Sequence, residues 1–533
     1  ELGIKEIDAL AIFKSAPDKS AYPKDNSAIL LWDISKVIYN DWVSEEKHTM
    51  IVKVYDAAGI DQWKEYYVGG YGNQRSKIIK AEVLKANGTK FEAEKRGGNI
   101  VFTNLEPGDG IHVTYSYQNS KYDKFAEYFD DQHYFETFFP IKENRYSLYI
   151  HPSLKFQYQF SNKGFEPKKG KVKEYDHYVW EKMNVESLKS EDYMPDLVDF
   201  AEVLHLSGYP DWNYISQWYS DLTKTKSRGD FEVKETVKEL FEGKESLGTM
   251  EKVRVIHEYI VKNIRYSSIP FRQSGIVPQK ASKVINTKIG DCKDVSTLFV
   301  AMCKEAGIND VQLVLINTRD NGRKDQLLPN INFNHCIAKL THEGKPYYIE
   351  LTSDKLSLQT YGYNLKNAFG LEIYENLEGK AVKPIYVNSP TRVSDDIIRN
   401  SNVKINGREV SVSIKTVKRG APAAGSRYNY ADISEEERRK ELLAVLSKEF
   451  PSVKVSKFEF NETLKSLTDS VDYISEYTLQ NHVTSIAGLN VFTLPWSDAN
   501  KSIGAMSNDD RKFPLDIWKM SNLDKEVETM TIE

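Results

Sequence analysis

One cysteine in this chain stands where a thiol can do chemistry. It lies in Gly290-Asp291-Cys292-Lys293-Asp294, and the run from Val295 to Ala306 that follows has a helical pattern. A sulfur in the first turn of a helix faces partly unpaired N–H groups and the positive end of the helix dipole, which lower a thiol's pKa. The thiolate is the form that attacks carbonyl carbon. A cysteine hydrolase also needs an imidazole that pairs with the sulfur and moves its proton, and an acceptor that orients the ring. His335 follows in Asn332-Phe333-Asn334-His335-Cys336-Ile337, and Glu350 in Tyr347-Tyr348-Ile349-Glu350-Leu351-Thr352. Cys292, His335 and Glu350 are therefore the expected nucleophile, base and orienting acid. Asp354 is the competing acid.

These groups need a helix and two strands to hold them. Val295, Leu298, Phe299 and Met302 mark one apolar stripe of the cysteine helix, and Gly307 suits the position just past its end. Strand-like runs follow at Val311 to Ile316, Cys336 to Leu340 and Tyr347 to Leu351, with a turn over Thr341 to Pro346. Antiparallel neighbours bring His335 and Glu350 within reach when the register allows. Thr249 is the expected N-cap of an earlier helix that carries Val253, Ile256, His257 and Ile260 on one face. His257 is expected in the core rather than as a ligand. Cys303 and Cys336 are expected as buried packing residues, Cys336 on the opposite strand face from His335.

Other chemistries are poorly served. The three cysteines and His335 lack paired metal-ligand spacing, so no metal site is expected. There is no GxxxxGK[ST] loop for phosphate and no EF-hand loop for calcium. No cofactor is expected. A net charge of −5 without a long basic run gives no nucleic-acid surface. The apolar runs are only a few residues long, too short for a transmembrane helix. Cys292 and Cys303 cannot bridge, because an intact helix sets them roughly 16 Å apart along its axis.

The 533 residues suggest about three domains at roughly 100–200 residues each. Residues 1–197 read as β-rich. Ile111 to Gln118 and Leu154 to Ser161 alternate apolar and polar positions, and Gly69-Gly70, Asn87-Gly88, Gly97-Gly98 and Pro107-Gly108 supply turns. Two-sheet packing covers such one-sided strands. Residues 198–388 mix helices and strands; Asp211 to Tyr219 opens them with a helical pattern. Residues 389–533 return to alternation at Val410 to Lys415 and Tyr473 to Leu479. One helix interrupts them, announced by Ser434 and Glu437 as a capping box. The 32 tyrosines are expected mainly on sheet faces, with sugar or peptide platforms as the alternative.

The middle segment resembles the bacterial transglutaminase-like superfamily. The resemblance rests on Ile264-Arg265-Tyr266, Pro278-Gln279-Lys280-Ala281-Ser282-Lys283-Val284, the Gly290–Asp294 block with Ser296 and Leu298, Phe333-Asn334-His335 and Glu350-Leu351-Thr352. The stretch Tyr22-Pro23-Lys24-Asp25-Asn26-Ser27-Ala28-Ile29-Leu30-Leu31 resembles the β-rich domain of unknown function that precedes such domains in bacterial envelope proteins. The resemblance covers about residues 20–380. It implies a multidomain α+β protein: a papain-like core with Cys292 as nucleophile and His335 as base, flanked by N- and C-terminal β-sandwich-like domains. The family has Asp-Pro-Thr where this chain has Glu350-Leu351-Thr352, so the acid is one methylene longer.

The expected activity is hydrolysis of amide bonds, protease or deamidase in type, through a thioester acyl-enzyme. A transglutaminase or amine acyltransferase on the same site is the second reading. A non-catalytic envelope binding or assembly protein with a degenerate core is the third. The oxyanion donors expected are the Cys292 N–H at the helix start, with Tyr266 and Gln279 as candidates for the second. The expected partner is a protein or peptide substrate or an envelope-associated polymer, with the oligomeric state left open. The chain opens Glu-Leu-Gly-Ile without Met or an apolar leader, as a processed periplasmic or secreted protein would; a cytoplasmic location is the alternative.

Overall fold

Among the described residues the strands assemble into seven sheets. The computed structural model describes residues 7–70, 74–119, 128–268, 275–495 and 510–533. These divide into two units: residues 1–215 with 321–331, and residues 216–320 with 332–533.

In the first unit an eight-stranded sheet runs in the order Lys168–Val172, Tyr175–Val185, Ile141–Ile150, Ser27–Ile38, Ser44–Val54, Gly110–Asn119, Gln74–Leu84 and Lys90–Glu92. The alternation in Gly110–Asn119 does what period two dictates. Ile111, Val113 and Tyr115 enter one apolar core with Met50, Val52 and Val83. His112 and Thr114 take the other face, where His112 meets Glu82 (2.9 Å). The strand expected over Leu154 to Ser161 is shorter, Gln157–Phe160. Its first residues are spent in a turn closed by Leu154 N–H donating to His151 O (3.0 Å). Gln157–Phe160 pairs with Val203–Ser207, and that strand pairs with Asp130–Tyr134.

The second unit carries the site. Its antiparallel sheet runs Lys345–Ile349, His335–His342, Val311–Asn317, Phe369–Ile373, Ile385–Tyr386. The helix Cys292–Glu305 packs on it. Side chains from Lys293 through Cys303 are all buried, so this helix is enclosed on every side rather than along one stripe. The turn between the strands of His335 and Glu350 is narrower than Thr341 to Pro346. It is Glu343-Gly344, both at positive φ, and His342 pairs with Lys345.

The helix Thr249–Asn263 begins at Thr249 instead of being capped by it. Gly248 occupies the cap, and its N–H donates to Glu251 Oε2 (2.8 Å). Residues 396–532 hold a second five-stranded sheet with its own apolar core around Val403, Val412, Phe450 and Tyr477. Among its described residues two helices of more than one turn interrupt this sheet where one was expected: Ala421–Tyr430 and Glu435–Leu446. The first follows Gly420 at φ +65 with Pro422 near its start, the usual place for proline in a helix. The second has the expected box, with Ser434 Oγ accepting from Glu437 N–H (3.3 Å) and Ser434 N–H donating to Glu437 Oε2 (2.8 Å). Among the described residues no helix is long and apolar enough to cross a membrane.

Candidate active site

The local fold around Cys292 is built by two aspartates. Asp291 is the N-cap, and its Oδ1 accepts from Asp294 N–H (3.3 Å). Asp294 returns the bond, its Oδ2 accepting from Asp291 N–H (3.1 Å). The same buried carboxylate accepts from Gln279 N–H at Oδ1 (2.8 Å) and from Gln279 Nε2 at Oδ2 (2.7 Å). The segment ahead of the helix is thereby fastened to its first turn. Lys293 Nζ pairs with Asp291 Oδ2. Gly290 packs so closely on that turn that a Cβ would stand 3.0 Å from Asp294 Cβ and 3.2 Å from Val295 Cγ1. Cys292 itself is half-buried and reaches solvent.

His335 is the first residue of its strand and pairs with Ile316. Ser296 Oγ donates to Cys336 O (3.2 Å), which ties the cysteine helix to the strand one residue past His335. Glu350 directly follows the strand Lys345–Ile349, and His335 Nε2 donates to Glu350 Oε2 (2.8 Å). Glu350 Oε1 accepts from Leu351 N–H (2.9 Å), Thr352 N–H (2.9 Å) and Thr352 Oγ1 (2.8 Å). The extra methylene of this glutamate is thus accommodated with one oxygen fully engaged and the other on the ring. Cys292 also lies near enough to the imidazole to help raise its pKa. With Nε2 on the carboxylate, Nδ1 is the nitrogen left for the sulfur.

Charge follows from this row. Burial pulls the His335 imidazole down, but the Glu350 charge, the nearby Cys292 and the bond to Glu350 outweigh it and push it up to about 10. Burial pushes the Glu350 carboxyl up, and the His335 charge with the bonds from His335 and Thr352 more than reverses that, leaving it below the ordinary range. The ring is therefore an imidazolium at neutral pH, next to a carboxylate on one side and a thiol on the other.

Asp354, the competing acid, points away into solvent and pairs with Lys355 (3.3 Å). Tyr266 lies close: it pairs with Gly290 in a two-strand ladder, and Ser267 N–H donates to Gly290 O (2.9 Å). Burial first, then the nearby Cys292, Asp291 and Glu350, push the Tyr266 hydroxyl up to about 12, so it stays protonated. The Gln279 amide is engaged by Asp294 instead of standing free as a donor. That role was hidden from sequence reasoning, although Gln279 itself was singled out. His257 is fully buried beside the Glu350 backbone, and burial lowers it to about 4. Cys303 and Cys336 are buried, and burial pushes both thiols up. Among the described residues no group of three His, Cys, Asp or Glu side chains is arranged to hold a metal ion.

The comparisons with known proteins agree with this geometry at the level of class. Residues 234–342 match the family model of the transglutaminase-like superfamily. Residues 95–189 match that of a domain of unknown function with a solved structure, DUF3857. The chain carries a transglutaminase-like core and a DUF3857 domain, in a multidomain α+β fold. A crystal structure named "putative protease" from Parabacteroides distasonis aligns with TM-score 0.56 and 13% identity, over 85% of this chain and 93% of that one. It shares the fold. A "putative cysteine protease" from Cytophaga hutchinsonii aligns at TM-score 0.22 and 10% identity, over 67% of this chain and 93% of that one. No curated protein matches the chain.

Proposed function

We propose that this protein hydrolyses amide bonds in peptide or protein substrates through Cys292, His335 and Glu350. One observation carries the reading: the His335 ring is bonded to Glu350 through Nε2 (2.8 Å), and Cys292 lies close enough to act on the charge of the same ring. An imidazolium beside a thiol favours the thiolate. The Cys292 thiolate attacks the amide carbonyl and forms a C–S bond, and the carbonyl oxygen takes the negative charge. The Cys292 N–H, at the first helical position and outside the i→i−4 ladder, donates to that oxygen. Tyr266 is the second donor in this scheme, since its backbone pairs with Gly290 and its protonated hydroxyl feels the Cys292 sulfur. Gln279 supports it from behind by holding Asp294. His335 then gives its proton to the leaving amine and the C–N bond breaks. Water attacks the thioester carbon as His335 takes a proton from it, the C–S bond breaks to return the Cys292 thiolate, and the acid leaves. Hydrolysis ranks above amine transfer because it needs no second binding pocket and no exclusion of water.

The test is direct. Iodoacetamide is expected to alkylate Cys292, while Cys303 and Cys336 stay unlabelled in the folded protein. Cys292→Ala is expected to abolish cleavage or deamidation of peptide and glutamine substrates. Turnover that survives the substitution, or alkylation of Cys292 that leaves turnover intact, rules the reading out. Added primary amine that appears in the product would move the assignment to acyl transfer.

Three domains, 1–197, 198–388 and 389–533, belong to the same proposal, as does a periplasmic or secreted location. Separate apolar cores in the sheets spanning 311–386 and 396–532 support the boundary near 388. Distinct hydrogen-exchange opening energies for the two sheets would uphold it. One shared opening energy would remove it.

A further inference from the structure

The eight-stranded sheet of the first unit carries a cavity of about 690 Å³, which the Cys292 chemistry does not use. Small-molecule sites occupy roughly 300–1,000 Å³, so the size suits a ligand. Strand register sets what lies at the bottom. Residues directly opposite each other in an antiparallel pair share a face. Ser35 pairs with Lys47, Lys47 with Ser116 and Ser116 with Lys77. Two residues along, and so on the same face, Val37 pairs with Glu45, Glu45 with Gln118 and Gln118 with Arg75. The first three residues of each row line the cavity. Tyr39 and Tyr175 line it too, with ring centroids 6.2 Å apart and planes at 79°. The opposite face of the Ser35 strand is spent on folding. Ile34 and Ile38 enter an apolar core there, and Lys36 pairs with Glu46 (2.8 Å) and Asp131 (2.9 Å).

The cavity side is left with charge to spare. Among the described residues Lys47, Lys77 and Arg75 have no ion pair, whereas Lys36 has two. Glu45 is the one carboxylate in the two rows, and it accepts from Gln118 Nε2 (3.0 Å). Ser35 is only 5% exposed, and among the described residues its hydroxyl has no hydrogen-bond partner. Nearly buried polar groups are normally satisfied, so a lone hydroxyl lining a cavity is one that a ligand completes. An ammonium between two hydroxyls suits an oxyanion. Burial first, then Glu45, push the Tyr39 hydroxyl up to about 12, so it stays a donor beside an apolar ring face. An extended peptide fits less well. It binds a sheet by adding a strand at an open edge, and the strands of Ser35, Lys47 and Ser116 all have neighbours on both sides.

We propose that this cavity binds an acidic saccharide, its carboxylate on Lys47 between Ser35 and Ser116 and a sugar ring against Tyr39. Glu45 and Gln118 supply an acceptor and a donor for the sugar hydroxyls. The site lies wholly within the first unit, and its test does not use turnover, so it stands or falls apart from the hydrolase reading.

The experiment is calorimetric titration of the full chain with short oligomers of galacturonate and of mannuronate, beside neutral maltotriose and the acidic peptide triglutamate. At least one acidic sugar is expected to bind with a Kd of about 1 mM or tighter, more weakly as salt is added, and better than maltotriose. Lys47→Gln is expected to weaken that binding about tenfold or more, the scale of a lost hydrogen bond to a charged group. Ser35→Ala is expected to weaken it by a smaller factor. Should Lys47→Gln fail to fold, Lys77→Gln, at an exposed position, makes the same comparison. Absence of binding by both acidic oligomers overturns the proposal. Binding that the folded lysine variant leaves unchanged also overturns it, since the sugar would then sit elsewhere. Triglutamate binding as tightly as the sugars would make this a site for acidic peptide instead.

Discussion

Glu350→Gln is expected to lower kcat/KM by about 10²–10⁴-fold, the usual range for losing an acid–base partner or its orienting carboxylate. The reason is in the competition that sets the ring's charge. Burial alone would make His335 neutral, and the Glu350 carboxylate is the largest influence against it. Glutamine preserves the shape and can still accept from Nε2, but it removes the negative charge. The His335 midpoint should fall from near 10, and the imidazolium beside Cys292 should be lost at a lower pH. Glu350→Ala adds a stability cost of about 3–5 kcal/mol, typical of leaving one member of a buried pair behind. Denaturant unfolding and histidine NMR on both variants measure the two effects separately. A Glu350→Gln protein with wild-type turnover would mean that Glu350 has no part in the chemistry. Asp354 is not a substitute, because it is paired with Lys355 at the surface.

The second large effect is on pH dependence. His335 has a folded pKa near 10, raised above 6.5, so its protonated form is the one the fold favours. Its contribution to stability is complete below about 6.5 and is lost as pH rises through about 10. Glu350 moves the other way, below its ordinary 4.5. Its contribution is complete above 4.5 and is lost as pH falls through its lower folded value. The pair therefore stabilises most between these limits. Catalysis needs the imidazolium to protonate the leaving amine, so the alkaline limb of kcat/KM is expected near pH 10 rather than near 6.5. In Glu350→Gln that limb should move to lower pH. An alkaline limb near 6.5 in the unaltered protein would contradict the charge state inferred for the ring.

The sequence carried the site better than its support. Cys292 and its helix start were legible because capping residues and the apolar run are local signals. His335 and Glu350 were legible as neighbours because a short hairpin turn fixes which residues oppose each other. What Gln279 does was not legible. Its amide meets Asp294, and no local pattern tells a hydrogen bond to a buried carboxylate from a donor waiting for substrate. The single apolar stripe assigned to the cysteine helix was too narrow, because small and polar residues such as Ser296, Thr297 and Ala301 are buried there too. Periodicity weights large apolar side chains and passes over these. Thr249 looked like a cap by residue type, yet Gly248 takes that place with Glu251 reaching back to it.

A helix walled in on all flanks has one free end, and here that end bears the sulfur. Its neighbours leave it no room to slide or rotate, so the reactive atom has a fixed address. On the hydrolase reading, a change of substrate would have to come from residues outside this helix. An inhibitor shaped for this sulfur would meet an unyielding floor beneath changeable walls.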